Sequence, residues 1–230
     1  MVLLHQLVQR NTKCHIVAIH INYNNRDTCD EEIRFVQTYC NELGIELYVR
    51  SITEMTRSRG ASRKNYEQLT REIRFAEYAK HNCPIILGHN FDDTVENIIS
   101  NIASQKNFHN LRGMTYTSEE RGVTVLRPFL HIQKVAIYAY ATHHGVPHLP
   151  DSTPDWSRRG KLRDHVIPTL DKYEPNFIRG LARIVTDLAE NAIHIKEHPN
   201  AVHLPKNFVN CKNALYSITN KSVIDYVNKN

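Results

Sequence analysis

Pro84-Ile85-Ile86-Leu87-Gly88-His89-Asn90-Phe91-Asp92-Asp93-Thr94-Val95-Glu96 is the stretch that decides the fold of this chain. A short apolar run, β-branched at two positions, enters a turn, and the turn opens a helix. A strand that delivers a helix in this way is the unit of an α/β sheet. Ligands of such sheets gather outside the carboxyl ends of the strands, where the first free N–H groups of the helix point at them. Asp92 and Glu96 are four residues apart and Asp93 and Glu96 three, so the carboxylates share one helical face. Such a face suits Mg2+ held against phosphates, or a substrate ammonium. Acids in a first helical turn are also favoured by the macrodipole alone, which is the competing explanation.

Working outward, residues 2 to 10 place Leu3, Leu4, Leu7 and Val8 at helical spacing, and 14 to 21 read as a strand buried on both faces. Thr28 and Glu31 are spaced as a capping box for a helix carrying Ile33, Phe35, Val36 and Tyr39, which Gly44 is placed to stop. A strand over 45–50, a polar loop over 51–62 and a helix over 64–81 follow, the last with Arg71 and Arg74 on adjacent turns. The helix opened by Phe91 runs to about Ala103. Beyond it come a loop over 106–122, a short strand over 123–126 broken by Arg127-Pro128, and helical patterns at 132–144, 159–171 and 175–195. Alternation of strand and helix predicts a parallel sheet covered on both sides. The expected organisation is a nucleotide-binding domain over 1–130, a helical extension over 131–195 and a loosely attached tail over 196–230.

Composition sets the limits. The 230 residues are 41% hydrophobic and 23% charged, values of a globular protein, and no apolar run approaches membrane-spanning length. The first residues lack the basic start and apolar core of a signal peptide, so a cytoplasmic protein without membrane contact is expected. The formal net charge of +5 suits an anionic partner. Ser157-Arg158-Arg159-Gly160-Lys161-Leu162-Arg163 carries four cations and no acid, a candidate phosphate or RNA contact if it is not simply a solvated helix face. The five cysteines, at 14, 29, 40, 83 and 211, form no C-x-x-C pair, against a disulfide framework, a zinc ribbon or a typical cluster motif. His194-Ile195-Lys196-Glu197-His198 has the H-x-x-E-H spacing of some zinc peptidases, but no third ligand follows and Pro199 comes at once.

Five elements in order carry a resemblance. They are Ala18-Ile19-His20-Ile21-Asn22-Tyr23-Asn24-Asn25-Arg26, the pair Arg71 and Arg74, and Gly88-His89-x-x-Asp92-Asp93-x-x-Glu96. Arg127-Pro128-Phe129-Leu130 follows, then Asp151 with Arg159-Gly160-Lys161-Leu162-Arg163 and Pro168. Over residues 1 to 185 the chain resembles the tRNA(Ile)-lysidine synthetase family, N-type ATP pyrophosphatases of the PP-loop superfamily. The resemblance implies an α/β, parallel-sheet Rossmann-like domain of the adenine nucleotide alpha hydrolase-like kind, followed by a small helical segment. It implies ATP and Mg2+ as cofactors, and tRNA and free lysine as partners. In the implied reaction the wobble cytidine oxygen of an isoleucine tRNA attacks the α-phosphorus of ATP, pyrophosphate leaves, and the lysine amine then displaces AMP.

Carried over residue by residue, the resemblance gives Asp92, Asp93, Glu96 and His89 catalytic roles, with Mg2+ at Asp92 and Asp93. It places His20, Asn22, Arg71, Arg74, Gly88 and Arg127 around the nucleotide, and Arg158, Arg159, Lys161 and Arg163 against RNA. For His20, plain burial in the sheet is an equal alternative. Tyr23 stands where the family has a second histidine, and Gly160 replaces an asparagine of the late R-N-x-x-R element. The largest departure is at Met1-Val2-Leu3-Leu4, which matches the helix that follows the family's first strand and SGGxDS phosphate loop; both are absent from these residues. Weak or no turnover is therefore expected of these residues alone. An internal methionine of a longer frame, a degenerate remnant, or a piece supplied by a partner would each explain the gap, and the intact order of the other motifs favours the first. Two alternatives remain for function: a tRNA thiolase or other PP-loop adenylating enzyme, against which the unpaired cysteines count, and a non-catalytic RNA-binding remnant.

Overall fold

The computed structural model describes residues 1–10, 14–25, 27–54, 63–107, 110–150, 153 and 157–197. Arg26, Asp151, most of the expected 51–62 loop, and the tail with His198 and Pro199 lie outside the described residues. The described part divides into two compact units, residues 1–90 with 116–151 and residues 91–115 with those from 152 on. This differs from the expected boundary near 130. The reason is packing: the helix after residue 130 closes the first core, while the acidic helix belongs to the second.

In the first unit, α1 (Val2–Gln9), β1 (Val17–Asn22), α2 (Cys29–Glu42), β2 (Glu46–Ser51) and α3 (Arg63–Lys80) follow in the expected order. β1 and β2 pair in parallel, from Val17 opposite Glu46 to Asn22 opposite Ser51. The capping box does not form. Thr28 sits in a helical conformation, with its hydroxyl donating to Glu32 Oε1 at 3.2 Å, so Asp30, Glu31 and Glu32 favour this helix start through its dipole instead. At the other end the chain turns at Gly44, where Ile45 N–H donates to Cys40 O at 2.8 Å and Gly44 N–H to Asn41 O at 3.1 Å. This is the paired bonding of a Schellman stop.

β3 is only Ile85–Ile86; it pairs in parallel with β5 (Val123–Leu126). The expected 106–122 loop holds a strand that sequence pattern missed, β4 (Thr117–Glu120), antiparallel to β5 through a turn at Arg121 and Gly122, both at positive φ. Thr-Ser-Glu-Glu carries no apolar alternation, so its pairing with β5 decides its conformation. The strands form a two-stranded sheet, β1-β2, and a three-stranded one, β3-β5-β4, where one sheet was expected. Among the described residues no backbone ladder joins β1 to β3. Side chains link them: Ile19 and Ile21 pack on a buried cluster of Phe75, Tyr78, Ile85, Val123 and Val125. A second cluster, Val2, Tyr39, Phe129, Ala141 and Val146, joins α1 and α2 to α5 (Lys134–His143).

The second unit is helical. α4 (Phe91–Ala103) and α8 (Phe177–Glu197) pack through Val95, Ile98, Ile178, Ala182 and Val185. Between them run α6 (Arg158–Lys161), a π-helical segment (Leu162–Val166) and α7 (Ile167–Tyr173). Ser157 caps α6, its hydroxyl accepting from Gly160 N–H at 2.9 Å. The π segment has a local cause. Pro168 has no N–H to give to the residue four before it and its ring crowds that carbonyl, so the helix widens and Ile167 N–H donates to Leu162 O, five residues back.

Candidate functional site

The sequence-derived site residues fall into two groups, one in each unit. In the first unit, two of the nucleotide-side arginines, Arg71 and Arg127, meet on the β4–β5 hairpin. Arg127, 4% exposed, donates to Glu120 Oε1 at 2.6 Å and to Ser118 Oγ at 2.9 Å. Arg71 pairs with the other oxygen of the same carboxylate. Burial raises the Glu120 pKa, but the Arg71 charge and the hydrogen bonds from Arg127 and Ser118 outweigh it, and the carboxyl lies below the ordinary carboxylate value. Arg71 and Arg74 both lie over the Phe75 ring, at 5.1 and 5.6 Å from its centre. Arg74 also donates to the Tyr23 hydroxyl at 3.2 Å, which gives that residue a positioning contact.

Asn22 ends β1, 4% exposed, and its amide is taken up locally. Its oxygen accepts from Asn24 N–H at 2.9 Å, and its nitrogen lies 3.3 Å from both Asn24 Oδ1 and Ser51 Oγ. His20, on the same strand, is half-buried. Burial lowers its pKa below the usual 6.5, with Glu32 partly opposing, so it is neutral at pH 7. His89 is half-buried beyond β3. Among the described residues a Cβ on Gly88 would meet only Leu3 Cδ2, at 4.0 Å, so none of them demands glycine there.

In the second unit, the acidic helix and the basic segment meet. Glu96 is 2% exposed, with Arg163 Nε on its Oε1 and Arg159 Nε 3.0 Å from its Oε2. The second contact is an ion pair without an aligned hydrogen bond. Asp93 Oδ1 lies 3.5 Å from Arg159 and 3.7 Å from Arg163, and Arg163 donates further to Thr153 Oγ1 at 3.1 Å. Arg158 donates to Ser100 O at 2.9 Å and Ser104 Oγ at 3.1 Å, a cation on the C-terminal turn of α4. Three of the four cations expected to face RNA are thus engaged within the protein. Lys161 is exposed, with no ion-pair partner among the described residues. Asp92 lies on the first turn of α4, half-buried. No group of three or more His, Cys, Asp or Glu able to hold a metal occurs among the described residues, so any Mg2+ here would rest on one or two carboxylates and on its substrate's oxygens.

Sequence reasoning did not find Ser118, Glu120 or Asn101. Asn101, 6% exposed, sends its amide to the carbonyls of Asn110 and Leu111, both at 3.0 Å. This ties the loop after α4 to the helix. The only signal was a polar residue on an otherwise apolar helical stripe. Glu120 gives no signal at all in the sequence, because Thr117–Glu120 carries no apolar alternation.

Paired parallel strands with flanking helices define an α/β protein. Its fold is similar to that of the U34-tRNA thiolase NcsA from Methanococcus maripaludis, described with its 4Fe-4S cluster. The TM-score is 0.66 at 17% identity, over 94% of this chain and 76% of that one. Residues 1–170 match the PP-loop domain family, and the chain belongs to it. Its sequence relatives include the bifunctional protein TilS/HprT of Listeria innocua serovar 6a, 28% identical over 216 residues, which are 90% of this chain and 33% of that protein. The tRNA(Ile)-lysidine synthase of Aster yellows witches'-broom phytoplasma is 29% identical over 192 residues, covering 80% of this chain and 41% of the relative. That of Chlamydia abortus is 24% identical over 188 residues, 78% and 58%. The resemblance to the tRNA(Ile)-lysidine synthetases therefore stands, and the chain spans between 33% and 58% of these relatives' lengths. No helix among the described residues is long and apolar enough to cross a membrane.

Proposed function

We propose that this chain is part of an ATP-dependent tRNA-modifying ligase of the tRNA(Ile)-lysidine synthetase type, joining free lysine to the wobble cytidine through an adenylated base. The observation that supports this most is the set of sequence relatives bearing that name across most of the chain. The cysteines add to it. Cys29 and Cys40 are buried on α2 and Cys14 and Cys83 are exposed, all four free, and none is spaced to hold a metal cluster. That favours ligation over the sulfur chemistry of the thiolase with the similar fold.

In this reading the first unit serves the nucleotide. Arg71, Arg74 and Arg127 stabilise negative charge on phosphate oxygens, His20 and Asn22 border the adenosine, and Gly88 lets the phosphates approach the backbone. His89, Asp92, Asp93 and Glu96 serve the amine. A carboxylate holds the ammonium and accepts the proton it must lose before nitrogen can attack. Mg2+ would be held by Asp92 and Asp93 and would offset charge on the departing pyrophosphate. Lys161 and the exposed parts of Arg158 and Arg159 contact RNA, in a cytoplasmic enzyme.

The decisive experiment supplies the protein with ATP, labelled lysine and isoleucine tRNA. Labelled tRNA is expected. No label defeats the proposal, sulfur incorporation in its place supports the thiolase alternative, and salt-sensitive tRNA binding without ATP dependence supports a binding protein.

A further inference from the structure

Hydrogen bonding along a parallel ladder alternates, so one bond at the end of a strand fixes which residues face its neighbour. Asn22 O accepts from Ile52 N–H at 2.8 Å, which turns the backbone groups of Ala18, His20 and Asn22 to β2 and those of Val17, Ile19 and Ile21 to the other side. In the same way Leu87 N–H donates to Leu126 O at 2.8 Å, so the N–H and C=O of Ile86 point away from β5. These two open edges face each other. Ile19 and Ile21 pack on the same cluster as Ile85 and Leu87, together with Phe75 and Tyr78 of α3. Among the described residues β2 adds none to that cluster, and β5 carries β4 on its other side, which leaves β1 and β3 as the strands that meet. Two strands that share a side-chain cluster without a ladder stand farther apart than the about 4.8 Å of bonded neighbours, and about twice that spacing is what one intervening strand occupies. The burial agrees. Strands of a parallel sheet are covered on both faces, yet Val17 to Ile21 are all half-buried and Ile86 is 38% exposed.

We propose that the space between β1 and β3 is a slot for one extended apolar segment of polypeptide, bonded on both sides, which joins the two sheets into one. The chemistry of the occupant follows from the walls. One wall offers the backbone groups of Val17, Ile19 and Ile21 and the other those of Ile86, so alternate residues of the segment bond to opposite sides. Its side chains fall beside Ile19, Ile21, Ile85 and Leu87 on one face and beside Ala18, His20 and Ile86 on the other, which selects β-branched apolar residues and excludes charge. A length close to the six residues of β1 fills it. A second copy of this chain fits poorly. Docked by an open edge, it satisfies one wall, and its strand brings attached neighbours that a single-strand space does not admit. The inference rests on the sheet alone and stands apart from the ligase proposal.

The test follows amide hydrogen exchange by NMR in the protein with and without a Val/Ile peptide matched to the length of β1 and ended by lysines. Without peptide, the amides of Ile19, Ile21 and Ile86 are expected to exchange about tenfold faster than those of His20 and Asn22, which donate to β2. With peptide, the same amides of Ile19, Ile21 and Ile86 are expected to slow about tenfold. Two further peptides, N-methylated at alternate residues in the two possible phases, separate a slot from a single edge. Between two walls both phases lose about tenfold in affinity, whereas at one edge the phase whose methyl groups face solvent binds like the parent peptide. That second result overturns the slot. So does slow exchange of Ile19, Ile21 and Ile86 before peptide is added: if it strengthens with protein concentration the edges belong to a second copy, and if it does not they belong to other residues of this chain. A peptide that does not bind, or that binds without slowing these amides, overturns the proposal too. Every arm uses the unmodified chain, so none depends on a variant folding.

Discussion

Gly113→Ala tests whether the loop after α4 is positioned by its contact with Asn101. Gly113 has φ +75°, and a Cβ there would stand 2.9 Å from Asn101 Nδ2. The left-handed conformation costs an L side chain about 1–2 kcal/mol, offset by about 0.4–1 kcal/mol from a stiffer unfolded chain. The close approach adds a second loss, since Asn101 is buried and cannot move without weakening its bonds to Asn110 O and Leu111 O. At about 0.5–1.5 kcal/mol for each bond, the total comes to about 2–3 kcal/mol. Gly122→Ala is the control: φ is +77° and nothing lies within 4 Å of its Cβ, so strain alone should cost about 1 kcal/mol. Urea unfolding of both variants measures the difference. A cycle with Asn101→Ala, which removes the obstructing amide, should show the two losses to be less than additive. If Gly113→Ala costs no more than Gly122→Ala, or if its cost is unchanged without Asn101, the clash and its anchoring role are refuted.

Gly88→Ala should leave the unfolding free energy measured in urea within about 0.5 kcal/mol of the parent, because among the described residues, its two chain neighbours aside, no atom is closer than 4.0 Å to the added carbon. If phosphates approach this backbone, ATP binding should fall at least tenfold; equal affinity would remove Gly88 from the site. Glu120, with its lowered pKa, contributes stability that is fully present above the ordinary 4.5 and is lost as pH falls through its lower folded value. Glu120→Gln should therefore flatten the acid limb of a stability-versus-pH curve, and an unchanged limb would show the pairing with Arg71 and Arg127 to be inconsequential. His20 also resists protonation. As pH drops below 6.5 the unfolded chain takes up its proton first and stability declines, a loss that His20→Gln should remove; proton titration by NMR, finding His20 at or above 6.5, would contradict it.

Most elements were legible because burial repeats along them. α1 to α4 and both parallel pairs follow from apolar periodicity, and Gly44 stops α2 where its position indicated. What failed depended on partners distant in sequence. β4 owes its conformation to β5, and Thr28 chose a bond to Glu32 over the capping box. The site shows the same limit. Residue type and spacing marked Asp93, Glu96, Arg159 and Arg163 as charged and clustered, yet nothing in the string could show that they pair with one another. The π segment was hidden too, although Pro168, its cause, was in view.

β1 and β3 each end a hydrogen-bonded ladder, and among the described residues neither has a neighbour on its other side. A bare strand margin next to apolar side chains is a template for any extended peptide, including another molecule of the same protein. Storage at high concentration should therefore lead to gradual clumping that begins at these margins, and dilution or a short β-strand peptide added to the buffer should slow it. The handling of the purified sample, as much as its chemistry, follows from the division of the sheet.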